Sequence, residues 1–420
     1  MSRFAMNKKF WGILFLGMSL RIGYVVSLPA SPHYPDEKHY LISSQHLYEG
    51  RGYLNEDGFP TAYHPIGYPL FLALLRTLGM DTILAFRLIQ TMLSALIIWL
   101  VYRYTCTLVH KTAGNWAALL VAIYPYFIYA TGTILTPVLI SLVLLAACWF
   151  LYRGAGKKSL TFLTLSGLGW SLAIFIQPAM TVLLGAAILW LLLHQRLEKA
   201  FFLKALTLMI LMVALINLPW LYRNYRVFGV FSFGTNMGIN LWLGNNPNAQ
   251  LGAGSTEIDT TSAIWQKTQQ ATSEVERDRT FKRAAMDFIR QNPMKSIEHY
   301  FLKALYMWRL DTSPTTNASL TSKRQPLTVI SIISFAPVLF LAIISFVIAT
   351  GDVKKHMWLW FYLCLANTLL YAIFMVKVRF RLPLDHLLIM TAAIQLAALS
   401  DRIKRFLRFH RRSPKSMRNG

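Results

Sequence analysis

Acidic residues are scarce in this chain, and its charges are far from balanced. The 420 residues include 18 Asp and Glu against 42 Lys and Arg, so the formal net charge is +24. In a soluble protein such an excess would suggest a nucleic-acid partner. Only 14% of the residues are charged, however, and 55% are hydrophobic, which is the composition of a membrane protein. We therefore predict membrane lipid, and no nucleic acid, as a partner.

Cysteines and familiar catalytic motifs are also few. The three cysteines, Cys106, Cys148 and Cys364, lie in or beside apolar segments, so no disulfide framework is expected. The sequence has no GxxxxGK[ST] phosphate loop, no GxGxxG after a strand and no GxSxG elbow. Nucleotide hydrolysis and serine hydrolase chemistry are therefore not expected. No Gly/Ser linker divides the chain, which predicts one membrane domain, 1–400, followed by a basic tail, 401–420.

Long apolar segments are abundant instead. A membrane-spanning helix needs about 20 mostly apolar residues, because its backbone polar groups must be satisfied within the helix. The first segment is interpreted as a span and not as a signal peptide, because it is long and contains Arg21. The pattern predicts an all-α integral membrane protein with about ten transmembrane helices. They are placed at residues 10–28, 82–105, 113–131, 133–152, 159–176, 178–195, 201–222, 326–349, 357–376 and 383–400.

Charged residues between the predicted spans indicate how the chain is oriented. Short segments after alternate spans are rich in Lys and Arg, as cytoplasmic loops are, and the acidic residues other than Glu198, Asp352 and Asp401 fall in or beside the opposite segments. Both termini are thus predicted to be cytoplasmic. Two large loops, 29–81 and 223–325, are predicted to face the outside.

These two loops contain further predicted elements. The stretch SPHYPDEKHY, 31–40, suggests a helix that starts at Asp36 and runs to about Glu49. Residues 66–79 are too short to span a membrane and are interpreted as an interfacial or re-entrant helix. Residues 219–247 are typical of an ordered loop with possible short strands. Helices are expected over 273–291 and from Pro293 through about Trp308.

Carboxylates and cations are concentrated in the predicted outer segments. A carboxylate can orient or deprotonate an attacking hydroxyl, and fixed cations can stabilise a departing phosphate, so the combination suits transfer from a phosphorylated lipid. Simpler interpretations stay open: Asp36 and Glu37 favour a helix start by themselves, and Arg379 and Arg381 suit headgroup contacts. His33, Asp36, Glu37 and His39 are suitable metal ligands, but their spacing matches no strong metal motif. We predict no required cofactor and no metal site.

Arg21 raises a separate question, because a cation within a span is costly unless it is paired or near water. A carboxylate of another span or a lipid phosphate would be a suitable partner, and no sequence rule distinguishes them.

With these residues in place, the chain resembles the bacterial GT-C glycosyltransferases of the protein O-mannosyltransferase and lipid A aminoarabinose transferase type, glycosyltransferase family 39. The resemblance extends over nearly the full length. Singly its motifs are modest, and their order makes them fairly specific. They are PDEKHY at 35–40, YHPIGYPLF at 63–71, PWLYRNYRVFG at 219–229, NLWLGNNPNA at 240–249 and RFRLPL at 379–384.

The resemblance implies a multispanning enzyme that moves a sugar from a polyprenyl-phosphate carrier, undecaprenyl phosphate being expected, onto an acceptor at the outer face of a bacterial inner membrane. The acceptor would be an envelope glycan such as lipopolysaccharide, a lipid or a protein. By this resemblance Asp36 activates the acceptor, Glu37 supports it, and His64 contacts the donor phosphate. Weaker expectations are Arg223, Arg379 and Arg381 on that phosphate and His39, Tyr40, Asn245 and Asn246 as substrate contacts.

Two positions depart from the family pattern. Thr136 precedes Pro137 where related chains often have an acidic residue, and Gln177 stands where Arg is common. Threonine can form a hydrogen bond to an acceptor but cannot act as a base at neutral pH. A transporter or flippase and a non-catalytic sugar-lipid binding protein are the alternatives. The sequence shows no repeated halves with interrupted helices, which many transporters have.

Overall fold

The computed structural model describes residues 7–249, 251, 262–310 and 324–412, and it is helical throughout. Within these ranges, the pairing of Leu54 with Pro60 is the only β-bridge. Seven described helices are long and apolar enough to cross a membrane, which confirms the predicted all-α membrane fold. They are α1 (Lys8–Val26), α4 (Ile83–Leu108), α7 (Pro137–Lys157), α10 (Lys199–Phe228), α15 (Arg324–Ile348), α16 (Gly351–Ile373) and α17 (Leu382–Arg412).

The other predicted spans are helical too, but they are shorter. Helices α5 (Lys111–Ile123) and α6 (Pro125–Thr131) are bent by 57° and would make an eighth span if they are taken together. Helix α8 (Leu160–Ile176) has 17 residues and α9 (Met180–His194) has 15. At 1.5 Å per residue these two are about 22–26 Å long, somewhat less than the hydrocarbon thickness of about 30 Å. Sequence hydropathy located all ten segments and overestimated the lengths of these two.

The bend between α5 and α6 explains why an arginine lies inside α1. Pro125 lacks a backbone N–H and cannot continue α5, which leaves carbonyl groups without helical partners at the end of α5. The Arg21 guanidinium donates to Val121 O at 2.9 Å and to Ala122 O at 2.7 Å, and its Nε donates to Ser94 Oγ at 2.7 Å. Arg21 is fully buried. Its partners are therefore the end of α5, a hydroxyl and the Gly17 carbonyl of its own helix, and neither a carboxylate nor a lipid phosphate is needed.

Replacing Arg21 should destabilise the bundle. In Arg21→Met an unbranched apolar side chain replaces the guanidinium, which leaves the carbonyls at the end of α5 unpaired. Each buried unpaired polar group costs about 1–3 kcal/mol. We expect a clear fall in the thermal unfolding temperature of the purified protein in detergent. The control is Arg226→Met, because Arg226 is exposed near the end of α10. An unchanged unfolding temperature for Arg21→Met would show that the buried guanidinium does not hold the bend.

Six more helices lie beside the ends of α1, α10 and α16, which we call the loop end of the bundle. Helix α2 begins at Pro35 and ends at Tyr48, close to the predicted helix, and Gly50 follows it with φ of +72°. The predicted helices over 273–291 and from Pro293 are also present, as is the one within 66–79. The six are α2 (Pro35–Tyr48), α3 (Gly67–Thr77), α11 (Met237–Gly244), α12 (Ala263–Gln269), α13 (Glu274–Gln291) and α14 (Pro293–Tyr306).

One prediction for this region was wrong. Residues 223–228 were expected in the second loop, but they continue α10, which contains Pro219, and Met237–Gly244 within the predicted loop with strands form α11. Trp220 and Asn224, one turn apart, bury one face of the last turns of α10, and they donate to Phe233 O and Ser232 O at 2.9 and 2.7 Å. This tertiary packing outweighs the local loop signals. Parts of the predicted second loop and tail, residues 250, 252–261, 311–323 and 413–420, lie outside the described residues.

Candidate active site

The start of α2 places two adjacent carboxylates in different surroundings. Glu37 is fully buried, and its carboxylate accepts hydrogen bonds from the backbone N–H groups of His33, Tyr34 and Ile134, the last at 2.8 Å. These bonds cap α2 and fasten it to the segment before α7. Asp36 is directed the other way, and 28% of its side chain is exposed. The structure thus separates an anchoring carboxylate from one that is open to a ligand.

Asp36 lies between two groups that sequence analysis had assigned to the donor phosphate. Its Oδ2 is 2.8 Å from Arg379 Nη2, and its Oδ1 is 3.9 Å from His64 Nε2. Arg379 belongs to the short turn Val378–Phe380 between α16 and α17, whereas His64 precedes α3. The His64 Nε2 atom is buried and has no hydrogen-bond partner among the described residues. Three distant parts of the sequence therefore meet at the Asp36 carboxylate, which we call the Asp36 centre.

The charges at the Asp36 centre are strongly coupled. Burial by itself would raise the pKa of the Asp36 carboxyl, but attraction to Arg379, His64 and Lys377 together holds this pKa well below its usual range. Burial lowers the pKa of His64 to about 4, so this ring is neutral near pH 7 and the attraction there comes from Arg379 and Lys377. Burial, followed by repulsion from Arg379, lowers the pKa of Lys377 to about 7. Near neutral pH the centre thus holds a carboxylate, a guanidinium and a lysine whose pKa lies close to neutrality.

The other predicted cations are engaged elsewhere. Arg223 donates to Thr61 O at 2.7 Å and to Tyr53 O at 3.1 Å, so it fastens α10 to the first loop. Arg381 is fully buried, and its Nε donates to Asp385 Oδ1 at 2.9 Å within the first turn of α17. The structure does not bring either guanidinium to the Asp36 carboxylate.

Four residues were expected to contact substrate. His39 and Tyr40 lie close to His64, with ring centroids 5.9 and 4.8 Å from its imidazole. Asn245 donates to Leu241 O and Ile373 O, while Asn246 donates to Trp242 O. His39 and Tyr40 are therefore part of the Asp36 centre. The two asparagines form hydrogen bonds at the end of α11, and Asn245 also connects this end to the end of α16.

Two cavities flank the Asp36 centre. The smaller cavity has a volume of about 20 Å³, enough for a water molecule, and Arg379, Tyr34, Tyr129 and Leu382 lie in its wall. The larger cavity has a volume of about 310 Å³, and His39, Tyr63 and His64 lie in its wall. Arg379 lines one cavity and His64 the other, and both side chains lie beside the Asp36 carboxylate.

Sequence reasoning missed the residue that holds the His64 segment in place. Glu274, at the start of α13, accepts hydrogen bonds from Thr61 Oγ1 at 2.6 Å, Ala62 N at 2.9 Å and Thr235 Oγ1 at 2.9 Å. It contacts a segment more than 200 positions away along the chain, and only the favourable effect of acidic residues on a helix start marks it in the sequence.

Replacing Glu274 should loosen His64 without removing any group from the Asp36 centre. In Glu274→Gln one oxygen becomes an N–H₂ group that cannot accept, so at least one of the three hydrogen bonds is lost or reversed. We therefore expect a lower unfolding temperature and a loss of up to about tenfold of whatever activity the centre supports. Glu276→Gln is the matched control, because Glu276 is exposed on the same turn and binds only Thr272. If the two variants behave alike, Glu274 does not position the His64 segment.

The described residues contain no group of three His, Cys, Asp or Glu side chains arranged to hold a metal ion. Asp36 has Arg379 and His64 as its neighbours, and the Glu37 carboxylate is occupied by backbone N–H groups. These surroundings suit a polar organic substrate with an anionic part that would compete for Arg379.

Comparisons with known proteins agree with this architecture. Residues 63–222 match the family model described as dolichyl-phosphate-mannose-protein mannosyltransferase. This range begins one residue before His64 and ends one residue before Arg223. No curated protein sequence matches the chain.

Solved structures match the chain over nearly its whole length. The archaeal oligosaccharyltransferase AglB from Archaeoglobus fulgidus, in complex with an inhibitory peptide and a dolichol-phosphate, matches with a TM-score of 0.54 at 11% identity, over 96% of this chain and 52% of AglB. The apo form of the Archaeoglobus fulgidus oligosaccharyltransferase gives a TM-score of 0.56 at 12% identity, over 96% and 52%. ArnT from Cupriavidus metallidurans, bound to undecaprenyl phosphate, gives 0.48 at 13% identity, over 93% and 78%. The chain thus spans about half the length of the archaeal enzyme, whose fold it shares.

Proposed function

We propose that this chain is a glycosyltransferase that uses a polyprenyl-phosphate sugar as donor. Its fold and its match to the family model confirm the predicted resemblance to the GT-C superfamily. One observation carries the proposal: Asp36 forms an ion pair with Arg379, with an oxygen–nitrogen distance of 2.8 Å, and its two neighbours Arg379 and His64 each line a cavity. A carboxylate suits an attacking hydroxyl, and a guanidinium suits a phosphate. The dolichol-phosphate bound by AglB supports this class of donor.

In the proposed reaction, the acceptor hydroxyl lies beside Asp36 and attacks the anomeric carbon of the donor sugar. A bond forms between the acceptor oxygen and that carbon, while the bond from the carbon to the phosphate oxygen breaks and its electron pair stays on the phosphate. Arg379 and protonated Lys377 stabilise the new negative charge. Asp36 receives the hydroxyl proton and later releases it to phosphate or solvent. A single displacement of this kind inverts the anomeric configuration.

The ion pair also suggests how the donor prepares the carboxylate. In the free protein Arg379 keeps the pKa of Asp36 low, which makes the carboxylate a weak base. A phosphate that draws Arg379 toward itself would weaken this attraction, and burial would then raise the pKa of Asp36. The carboxylate would thus become a stronger base when the donor is in place. Glu37 keeps α2 oriented during this change through its hydrogen bonds to three backbone N–H groups.

We assign the loop end of the bundle to the outer face of the membrane, following the positive-inside rule. In a bacterium this face is the periplasmic side of the inner membrane, where undecaprenyl phosphate is the expected carrier and an envelope glycan, lipid or protein is the acceptor. Whether the sugar is a hexose or a pentose is decided by supplying both classes of donor. Gln177, one of the two positions that depart from the expected family pattern, donates a hydrogen bond to the Tyr371 hydroxyl.

The test is transfer itself. Purified protein in lipid nanodiscs is supplied with a panel of polyprenyl-phosphate-linked hexoses and pentoses and with membrane acceptors, and product formation is followed by mass spectrometry. Transfer by the wild type and its loss in Asp36→Asn would support the proposal. Absence of transfer from every donor would favour a binding protein, and movement of the intact lipid-linked sugar across the bilayer would favour a flippase.

The lysine in the Asp36 centre predicts a pH dependence. Because the pKa of Lys377 is about 7, this side chain loses its proton as the pH rises through neutrality, and the stabilising charge for the phosphate is lost. We expect kcat/KM to decline above about pH 7 in the wild type. In Lys377→Arg the charge persists to much higher pH, so the decline should move to alkaline pH. A decline that is the same in both proteins would show that Lys377 is not the titrating group.

A further inference from the structure

The larger cavity beside His64 has an unusual charge for this protein. Four carboxylates line it, Glu56, Asp57, Glu274 and Asp278, whereas Arg277 is the one Lys or Arg side chain in its wall. The whole chain carries a net charge of +24 and has only 18 acidic residues. A concentration of negative charge in one cavity of so basic a protein favours a cationic ligand.

The carboxylates in the wall differ in what they can offer. Glu274 is occupied by three hydrogen bonds, and Glu56 is paired with Lys38. Asp278 accepts hydrogen bonds from the backbone N–H groups of Gly238 and Ile239, which occupy part of its acceptor capacity, and burial raises the pKa of its carboxyl. The Asp57 carboxylate is exposed and has no ion pair among the described residues. Asp57 and Asp278 therefore retain acceptor capacity for a ligand, and all four contribute negative potential.

The remaining walls suit a sugar ring better than a peptide. Four aromatic rings, those of Tyr53, Tyr63, Trp265 and Phe281, present flat apolar faces and, in the tyrosines, hydroxyl groups. The volume of about 310 Å³ is at the small end of ligand pockets, which is enough for one or two sugar rings. Strand addition, one way in which an extended peptide is bound, needs an open sheet edge, and the described residues around the cavity form no strand.

A second observation connects the cavity with the chemistry. His64 lies in its wall, and the Nε2 atom of this ring is buried, without a hydrogen-bond partner among the described residues, at 3.9 Å from Asp36 Oδ1. A buried polar atom without a partner is costly unless a ligand or water completes it. This separation is too long for a direct hydrogen bond and leaves a position near both atoms that a ligand hydroxyl can occupy.

We infer that the larger cavity binds the acceptor, and that the acceptor is a glycan whose terminal sugar carries a protonated amino group. This inference rests on the proposed function and adds the chemical class of the acceptor. The amino group lies against Asp57 and Asp278, the aromatic rings pack against the sugar, and a hydroxyl reaches the His64 and Asp36 side chains. Arg277 opposes the amino group and limits the affinity.

A binding experiment tests the inference without any donor or turnover. Glucosamine, N-acetylglucosamine, glucose and a short peptide with serine and lysine are titrated against the protein in phosphatidylcholine nanodiscs, and binding is followed by saturation-transfer NMR. We expect glucosamine to bind at least threefold more tightly than glucose or N-acetylglucosamine. Asp57→Asn and Asp278→Asn should each weaken glucosamine binding about threefold to tenfold and leave glucose unchanged.

Two variants on the same helix serve as controls of opposite kinds. Arg277→Gln removes the opposing charge and should tighten glucosamine binding by about threefold. Asp287→Asn removes an exposed carboxylate that pairs with Arg290 outside the cavity, so it should change nothing. The unfolding temperature of each variant shows whether the fold is intact, so that a misfolded variant is not mistaken for a change in affinity.

Several outcomes would overturn the inference. Equal affinity for glucosamine and glucose would show that the cavity does not recognise an amino group. Tighter binding of the peptide would favour a protein acceptor. Absence of binding by every probe would show that the cavity is not a binding site for these ligands. The result is independent of the transfer assay. If transfer fails while selective glucosamine binding persists, the proposed reaction is wrong, and the cavity is an amino-sugar binding site but not an acceptor site. If transfer occurs without this selectivity, only the acceptor class is wrong.

Discussion

Asp36→Asn should reduce sugar transfer by about 10²-fold to 10⁴-fold, the range that removal of a general base produces. The asparagine amide can still accept a hydrogen bond from the acceptor hydroxyl, but it cannot take its proton. The variant also leaves Arg379 without its carboxylate partner at 2.8 Å, so a modest fall in the unfolding temperature is expected. Transfer is measured as the rate of product formation at saturating donor.

The neighbouring carboxylate provides a sharp contrast for this prediction. Glu37 is buried and holds three backbone N–H groups, so Glu37→Gln should lower the unfolding temperature more than Asp36→Asn does and should lower the transfer rate less. Asp287→Asn, on the exposed face of α13, should match the wild type in both measurements. If Glu37→Gln abolishes transfer in a fully stable protein while Asp36→Asn is active, the two assignments must be exchanged.

Arg379→Gln should be the second severe variant, with a loss of about 10²-fold to 10³-fold in the transfer rate. The guanidinium is the charged group closest to Asp36 that can also reach a phosphate, and removal of one such electrostatic contact costs about this much in other enzymes. Arg379→Lys keeps the charge without the forked geometry, so it should recover part of the loss.

Arg379→Gln should also change the pH profile of kcat/KM in a direction that a purely structural role of Arg379 would not produce. Without Arg379, burial dominates and the pKa of the Asp36 carboxyl rises from its depressed value. The carboxylate is therefore lost at a higher pH, and the acidic decline of kcat/KM should move upward in Arg379→Gln. If the rate falls while the acidic decline stays in place, Arg379 does not act on Asp36.

Sequence analysis located the helices because apolar length is a local property. All ten apolar segments are helical, and the start of α2 at PDE was also predicted, since Pro, Asp and Glu are typical of a first turn. The prediction was wrong for 223–228, which continue α10 because Trp220 and Asn224 bury one face of its last turns. Such burial depends on a contact with another loop, which no local pattern contains.

The composition of the candidate site was only partly predictable for the same reason. Asp36, His64 and Arg379 were named from their motifs, and the structure brings them together. Arg223 and Arg381 have the same residue type and similar motifs, but their hydrogen bonds to Thr61 and Asp385 engage them elsewhere. Charge and motif identify which cations are near a site, whereas the hydrogen-bond partners that decide their roles are set by the fold.

The central claim is that Asp36 and Arg379 act as one unit in transfer from a lipid phosphate. It is tested most directly by the rate at which polyprenyl phosphate is released from the donor, measured by mass spectrometry in wild type, Asp36→Asn, Arg379→Gln and the double variant. We predict that release requires an acceptor and that the double variant is about as slow as the slower single variant, because residues that act together are strongly non-additive. The account would be contradicted if the fold-losses of the two single variants multiplied in the double variant, or if Asp36→Asn released polyprenyl phosphate at the wild-type rate.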